Sequence, residues 1–504
     1  MPEYRTQNQY STSVGLVYIF NLIVGTGALT LPAVFARSGW LLGIFVITIL
    51  ALISFITATF VIEAMASANA ITHWNKIQDQ KRNSADHEPS NSDSEDTPLV
   101  SQLLQNRRRS GRGSPDFASS RYYVIDEKME MGEMATIFFD KLGTSLFYIC
   151  LIVYLYGDLS IYATAIGKSM ADVACTHQPV NISCNETIPD SAVCWEGLYY
   201  NRMDAYRMFL TAFITILGPF VFFNVQKTKY LQLITSGMRW IAFSFMILYA
   251  LRILIVSGPR NSPPAVALVG IPGLFGVCVY SFMCHHSLPA LVAPITNKMN
   301  INRSLSFDYI LIALFYLLLA LTGTFAFQHL DDLYTLDFSP RGNGFCSKTD
   351  NTLLLISEYY LAVFPVFTLS TSFPVIAITL KNNLQSLFLG SDNSTYNYFI
   401  REILFPILAI FPPYAIAMTT KNLKVLVGLT GSFAGVGIQY LLPTFLVYYA
   451  RKKTNSVIGL GVRNKFMSPF AGQHWLSFVV IWACACMILV SFHLYEQWIY
   501  SKYT

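Results

Sequence analysis

Two apolar stretches, Asn21 to Pro32 and Pro272 to Pro289, are interrupted in the middle, where a helix crossing a bilayer should be continuous. The first reads Asn-Leu-Ile-Val-Gly-Thr-Gly-Ala-Leu-Thr-Leu-Pro. The second reads Pro-Gly-Leu-Phe-Gly-Val-Cys-Val-Tyr-Ser-Phe-Met-Cys-His-His-Ser-Leu-Pro. Hydrocarbon offers no partner to a main-chain N–H or C=O, so non-helical backbone at that depth survives only where protein or a water-filled hollow surrounds it. One such break in each half of a chain is the best sequence pointer to the solute site of a secondary transporter.

That these stretches lie in a membrane follows from composition. The 504 residues are 53% hydrophobic and 12% charged. Soluble domains carry about 25% charged residues, so this chain has too little polar surface to face water on all sides. Apolar runs long enough to cross a bilayer recur, giving about eleven spans. They cover 14–34, 40–66, 143–168, 204–224, 231–256, 267–291, 306–328, 352–380, 400–418, 423–449 and 471–495. Residues 1–13 are polar and the first apolar run is too long for a cleaved leader, so the first span is expected to be the insertion signal. The net charge of +5 is scattered between apolar runs, and no nucleic-acid partner is expected. No metal cluster or nucleophile motif stands out, so the chain is not expected to be an enzyme, and no catalytic residue, metal or cofactor is assigned.

The domain plan follows. Residues 1–13 form a cytosolic N-terminus, 14–71 the first two spans, and 72–128 a polar insert. The insert contains Asn-Ser-Asp-Ser-Glu-Asp-Thr-Pro and Arg107-Arg108-Arg109, composition that cannot bury enough apolar surface to order itself, so disorder is expected. Its Glu95-Asp-Thr-Pro-Leu-Val100 is close to an acidic dileucine sorting signal, and its basic run could meet anionic lipid or cytosolic partners. Residues 129–256 hold the end of an amphipathic piece and spans three to five with a loop at 169–203; 267–449 hold spans six to ten; 471–495 is the eleventh.

Lysine and arginine clusters in short loops mark the cytosolic side. Lys227 and Lys229, Lys298 and Arg303, Lys381, and Arg451-Lys452-Lys453 share a side with the N-terminus. The C-terminus then lies outside or in a lumen, with the plasma membrane or an endolysosomal membrane as location. The 169–203 loop independently falls on that outer side, because it carries two glycosylation sequons at Asn181 and Asn185. Cys175, Cys184 and Cys194 share this loop and Cys346 lies in the next long outer one, so these four are the disulfide candidates, with three connectivities open.

The breaks supply the chemistry. Unwound backbone at Gly25, Thr26 and Gly27 would present free amides at a half-helix N-terminus, which hold a carboxylate. Val279, Tyr280, Ser281 and Phe282 would offer carbonyls and side chains to an amino group. The competing reading of Gly-Thr-Gly is a packing notch between helices. Asp158 sits near the middle of the third span, where a carboxylate is expensive and functional by default. It is either a proton carrier or a structural carboxyl tied to Tyr154 or Tyr162, one turn away on the same helix. His285 and His286 either titrate and gate or cap a helix end.

Asn21-Leu-Ile-Val-Gly-Thr-Gly-Ala-Leu-Thr-Leu-Pro32 resembles the first-helix signature of the amino acid/auxin permease family, which includes the sodium-coupled neutral amino acid transporters. Tyr280-Ser-Phe-Met-Cys-His285-His-Ser-Leu-Pro289 is similar to that family's sixth-helix motif. The resemblance implies an all-α, multi-pass, leucine-transporter-like fold: a 5+5 inverted repeat with discontinuous spans one and six, then an eleventh helix. It implies an amino-acid-like solute bound between those two spans. It also puts Asn21 near a coupling cation, with Thr371 and Ser372, just before Pro374, as oxygen ligands. Sodium through these oxygens and a proton through Asp158 both stay open, as do two activities: secondary active transport, or a nutrient receptor using the same pocket without flux.

Overall fold

The computed structural model describes residues 9–85, 123–177, 188–222, 229–340, 352–390, 397–459 and 462–503. Among these residues the regular structure is helical, with isolated bridges at Tyr10–Ile295 and Val193–Asn201 in place of a sheet.

Helix α1 (Thr12–Ile23) and helix α2 (Thr26–Ser38) are two halves of one span, bent by 53° where they meet. The Val24 N–H still bonds Phe20 O at 2.8 Å, and there the ladder stops. Helix α3 (Trp40–Ala85) follows, then the short α4 (Met131–Phe138), opened by a reciprocal capping box between Glu130 and Glu133. Next come α5 (Lys141–Ala174), α6 (Arg202–Phe222) and α7 (Lys229–Ser257). The second break separates α8 (Ile271–Ser281) from the single turn α9 (Leu288–Val292). Pro272 and Pro289 each stand in a first turn, where the missing N–H would have no intrahelical partner anyway. Helices α10 (Ile301–Ala326), α11 (Thr352–Leu389), α12 (Ile400–Thr419), α13 (Leu423–Val457) and α14 (Gln473–Tyr503) complete the bundle.

Nine of these helices are long and apolar enough to cross a membrane unaided. At about 1.5 Å per residue, α8 on its own covers only about half of the hydrocarbon thickness. Counting α1–α2 and α8–α9 as one broken span each gives eleven among the described residues. The chain is a multi-pass membrane protein.

The broken spans run antiparallel. A Cβ on Gly27, at the start of α2, would lie 2.7 Å from the Ser281 Cα at the end of α8. At the opposite ends of the same helices, a Cβ on Gly270 would lie 2.5 Å from the Ser38 Cα. Beyond the breaks, the Tyr10 hydroxyl donates to Leu291 O at 2.5 Å and the Tyr10 N–H to Pro294 O at 3.2 Å, placing the start of α1 beside α9. Five spans per half is an odd number, so the second half enters the membrane with opposite polarity. This is the inverted-repeat, leucine-transporter-like arrangement. Around it, α5 packs along α11 and α3 along α13.

Some boundaries differ from expectation. No Gly or Pro interrupts residues 44–85, and α3 continues through 72–85 instead of ending at Ile71. Tyr123 and Ile125 are buried, and the Asn69 side chain accepts the Glu127 N–H at 3.1 Å while donating to Glu127 O at 3.2 Å. The 72–128 insert is therefore ordered at both ends; residues 86–122 lie outside the described residues. Glu63, which sequence position alone explains as a snorkelling charge, is 2% exposed and accepts from Arg451 Nε and Nη2 at 2.7 and 2.8 Å. On the other side of the bundle Cys175 is disulfide-bonded to Cys194. Cys184, Cys346, Asn181 and Asn185 lie outside the described residues.

Candidate functional site

Helix α2 opens where α8 closes. The first amides of α2 lack intrahelical partners, as do the last carbonyls of α1 and α8. The side chains that meet this exposed backbone come from five helices. From α8, the Tyr280 hydroxyl donates to the Asp158 carboxylate of α5 and lies 3.2 Å from the Thr26 hydroxyl of α2. From α10, the Tyr316 hydroxyl is 2.9 Å from Ile23 O and 2.8 Å from Ser281 O, its one proton shared between the ends of two half-helices. From α7, Arg239 donates through Nη1 to Asn21 O and, at 3.4 Å, to Val24 O.

Beside Gly25 and Thr26 lies a cavity of ≈ 10 Å³, bordered also by Arg239, Phe243, Pro365 and Thr368. That is room for about one water, so the site is closed in this conformation.

Gly25, Thr26, Gly27, Tyr280, Ser281 and Asp158 thus meet in one place. Val279 and Phe282 belong to the packing behind it: both are fully buried, and Phe282 stacks on Tyr309 at 6.3 Å and meets Tyr316 edge-on at 5.2 Å. Asn21 contributes its carbonyl, while its side-chain nitrogen has no hydrogen-bond partner among the described residues. Thr371 and Ser372 turn to their own helix, donating to Thr368 O at 2.9 and 3.3 Å. Thr368, one turn earlier, is the α11 hydroxyl at the cavity, and it too donates to its own helix, to Phe364 O at 3.1 Å. His285 Nε2 is 2.9 Å from the Thr57 hydroxyl and 3.3 Å from Ser54 O, tying the second break to α3. His286 lies against the Tyr154 ring, with centroids 5.4 Å apart.

Arg239, Tyr316 and Thr368 were not singled out from sequence. Arg239 carried a usable signal, since a charge inside the apolar run 231–256 marks a functional position by default.

Residues 118–493 match the family described as transmembrane amino acid transporter protein. The chain belongs to the transmembrane amino acid transporter family. It is 50% identical to the Transmembrane protein 104 homolog of Drosophila melanogaster, over 97% of each chain. It is 44% identical to Transmembrane protein 104 of Homo sapiens, over 96% of this chain and 97% of that one. To the Transmembrane protein 104 homolog of Dictyostelium discoideum it is 30% identical, over 96% and 97%. The transmembrane amino acid transporter match begins after α3, but these relatives leave only 3–4% of the chain uncovered, so the similarity reaches through α1 and α2.

Proposed function

We propose that this chain is a secondary active transporter of amino acids or similar small zwitterions, working by alternating access and driven by a cation gradient. One observation carries the reading: the amide end of α2 and the carbonyl end of α8 stand side by side, with Gly27 against Ser281. A half-helix N-terminus bears a partial positive charge and a C-terminus a partial negative one. Together they complement a carboxylate and an ammonium held a few ångströms apart, which is the common part of every amino acid.

The closed cavity supports a cycle in which helices move to admit solute. Each end of the bundle has its own clasp. On the disulfide side, Lys168 of α5 pairs with Asp331 and Asp332, and the Asp332 carboxylate accepts the Leu423 N–H of α13 at 2.7 Å. On the other side, Glu63 of α3 binds Arg451 of α13 and accepts the Ser468 N–H at 2.9 Å. Releasing one clasp while keeping the other would expose the site to one side at a time. We place the N-terminus in the cytosol. The basic clusters support this, and so does the Cys175–Cys194 bond, which suits an oxidising compartment on the opposite face.

The test is uptake of radiolabelled amino acids into liposomes holding the purified full-length chain, under an imposed sodium or proton gradient. Accumulation above protein-free liposomes, lost in Gly27→Val, is the expected result. Binding without uptake would make the chain a receptor, and neither would reject the reading.

A further inference from the structure

The end of α1 is where a mobile cation would be bound if sodium drove the cycle at this break. Carbonyls at a half-helix C-terminus carry partial negative charge, and with neighbouring hydroxyls they coordinate sodium in transporters of this general build. Here the carbonyls are already taken. The Arg239 guanidinium donates to Asn21 O and lies 3.4 Å from Val24 O, while the Tyr316 hydroxyl takes Ile23 O. Of the α11 hydroxyls that would complete an oxygen cage, Thr371 and Ser372 turn to Thr368 O, which leaves Thr368, itself donating to Phe364 O, as the one at the cavity. Two independent features thus agree, an occupied carbonyl cup and a hydroxyl set reduced to Thr368. Among the described residues the hydrogen-bond partners of Arg239 are main-chain carbonyls and not carboxylates, so its charge is directed at the helix end. A guanidinium keeps its proton at any physiological pH, so this cation does not leave.

We propose that Arg239 is a built-in cation occupying the carbonyls that end α1, and that the chain binds its solute and closes without sodium at this break. Arg239 is a positioning residue: it holds the end of α1 against α7 and fixes the cup in which the α2 amides sit. The inference rests on taking the α1–α2 break as the solute site. The measurement below needs no solute, so it can fail or succeed apart from the transport assay.

The experiment uses the full-length chain in nanodiscs, with sodium-22 binding and thermal melts in sodium chloride or choline chloride at equal ionic strength. The wild type is expected to bind no sodium-22 above empty nanodiscs and to melt at the same temperature in both salts. Arg239→Ala is expected to melt lower in choline and to be raised toward the wild type by millimolar methylguanidinium and by sodium, ligands for the vacated carbonyls. Saturable sodium-22 binding by the wild type would overturn the proposal. So would a folded Arg239→Ala chain that responds to methylguanidinium and sodium no more than the wild type does. Should Arg239→Ala not fold, the wild-type sodium-22 measurement decides alone.

Discussion

Tyr280, in the last turn of α8, donates its hydroxyl proton to Asp158, in the interior of α5. The bond joins the second break to the helix that packs most closely along α11. It makes Asp158 part of the site wall instead of a carboxyl satisfied within its own helix. Tyr280→Phe leaves a buried acceptor unpaired and is expected to cost about 1–3 kcal/mol in stability. Asp158→Asn keeps an acceptor for Tyr280 but cannot exchange a proton, so the chain should fold while the pH dependence of uptake flattens. Thermal melts and uptake across a pH series check both variants; an unchanged pH profile in Asp158→Asn would remove Asp158 from coupling.

The Tyr316 hydroxyl serves the ends of two half-helices with one proton. Tyr316→Phe preserves the ring contact with Phe282 and deletes only that donor. Two carbonyls at membrane depth then lose their partner, and the expected cost is about 1–3 kcal/mol. Faster amide exchange at the ends of α1 and α8, measured by hydrogen–deuterium exchange, should accompany the lower melting temperature.

Breaking the Glu63–Arg451 clasp from one side should be severe. Removing one member of a buried ion pair strands the other and typically costs about 3–5 kcal/mol. Glu63→Gln or Arg451→Met alone should therefore destabilise strongly, whereas the double variant should recover part of the loss. A double-mutant cycle of melting temperatures measures the coupling. Simple additivity of the two would show that the clasp does not act as a pair.

Asp337 sets a pH dependence outside the membrane spans. Burial, aided by the neighbouring Asp331 carboxylate, raises its pKa well above the ordinary value, even though it accepts the Asp331 N–H at 3.1 and 3.2 Å. The folded chain therefore holds a proton that the unfolded chain releases near pH 4. Its stabilising contribution is present below that pH and is lost as pH rises through the raised folded value. Asp337→Asn should remove this component, so the melting temperature of the variant should fall less with rising pH than that of the wild type.

Orientation has its own check. With the disulfide side lumenal, Asn181 and Asn185 are accessible to the glycosylation machinery. A deglycosidase mobility shift, absent from the Asn181→Gln/Asn185→Gln variant, is the expected outcome. Unglycosylated wild-type protein from a eukaryotic host would count against this orientation.

How far residues alone led can be judged at particular positions. Gly25-Thr26-Gly27 and the proline-bounded second segment announced their breaks because glycine and proline act locally, whatever the chain later packs against. The opposite polarity of α2 and α8 was legible too, since five spans per half is an odd number. The α11 hydroxyls were another matter. Thr368, Thr371 and Ser372 fall within five positions, and which of them meets a break depends on helix phase and tilt, which only packing settles. The partners of Arg239 were illegible for a related reason: main-chain carbonyls look alike in a sequence until a fold ends a helix beside them. The end of α3 was misjudged because polar composition near residue 72 resembles a linker, whereas Asn69 and Glu127 pin the helix to the returning chain.

Three glycines meet where α8 crosses α13, Gly276 of the former and Gly428 and Gly431 of the latter. A Cβ on Gly276 would fall on the Gly428 carbonyl, and one on Gly431 would fall on the Gly276 carbonyl, so the main chains themselves touch. With no side chain between them at this crossing, no rotamer change can open a gap there, so in the proposed cycle α8 and α13 would move together. On the proposed transport cycle, flexure would fall to the six residues between α8 and α9 and to the kink joining α1 to α2, a swing of two short levers against a fixed frame.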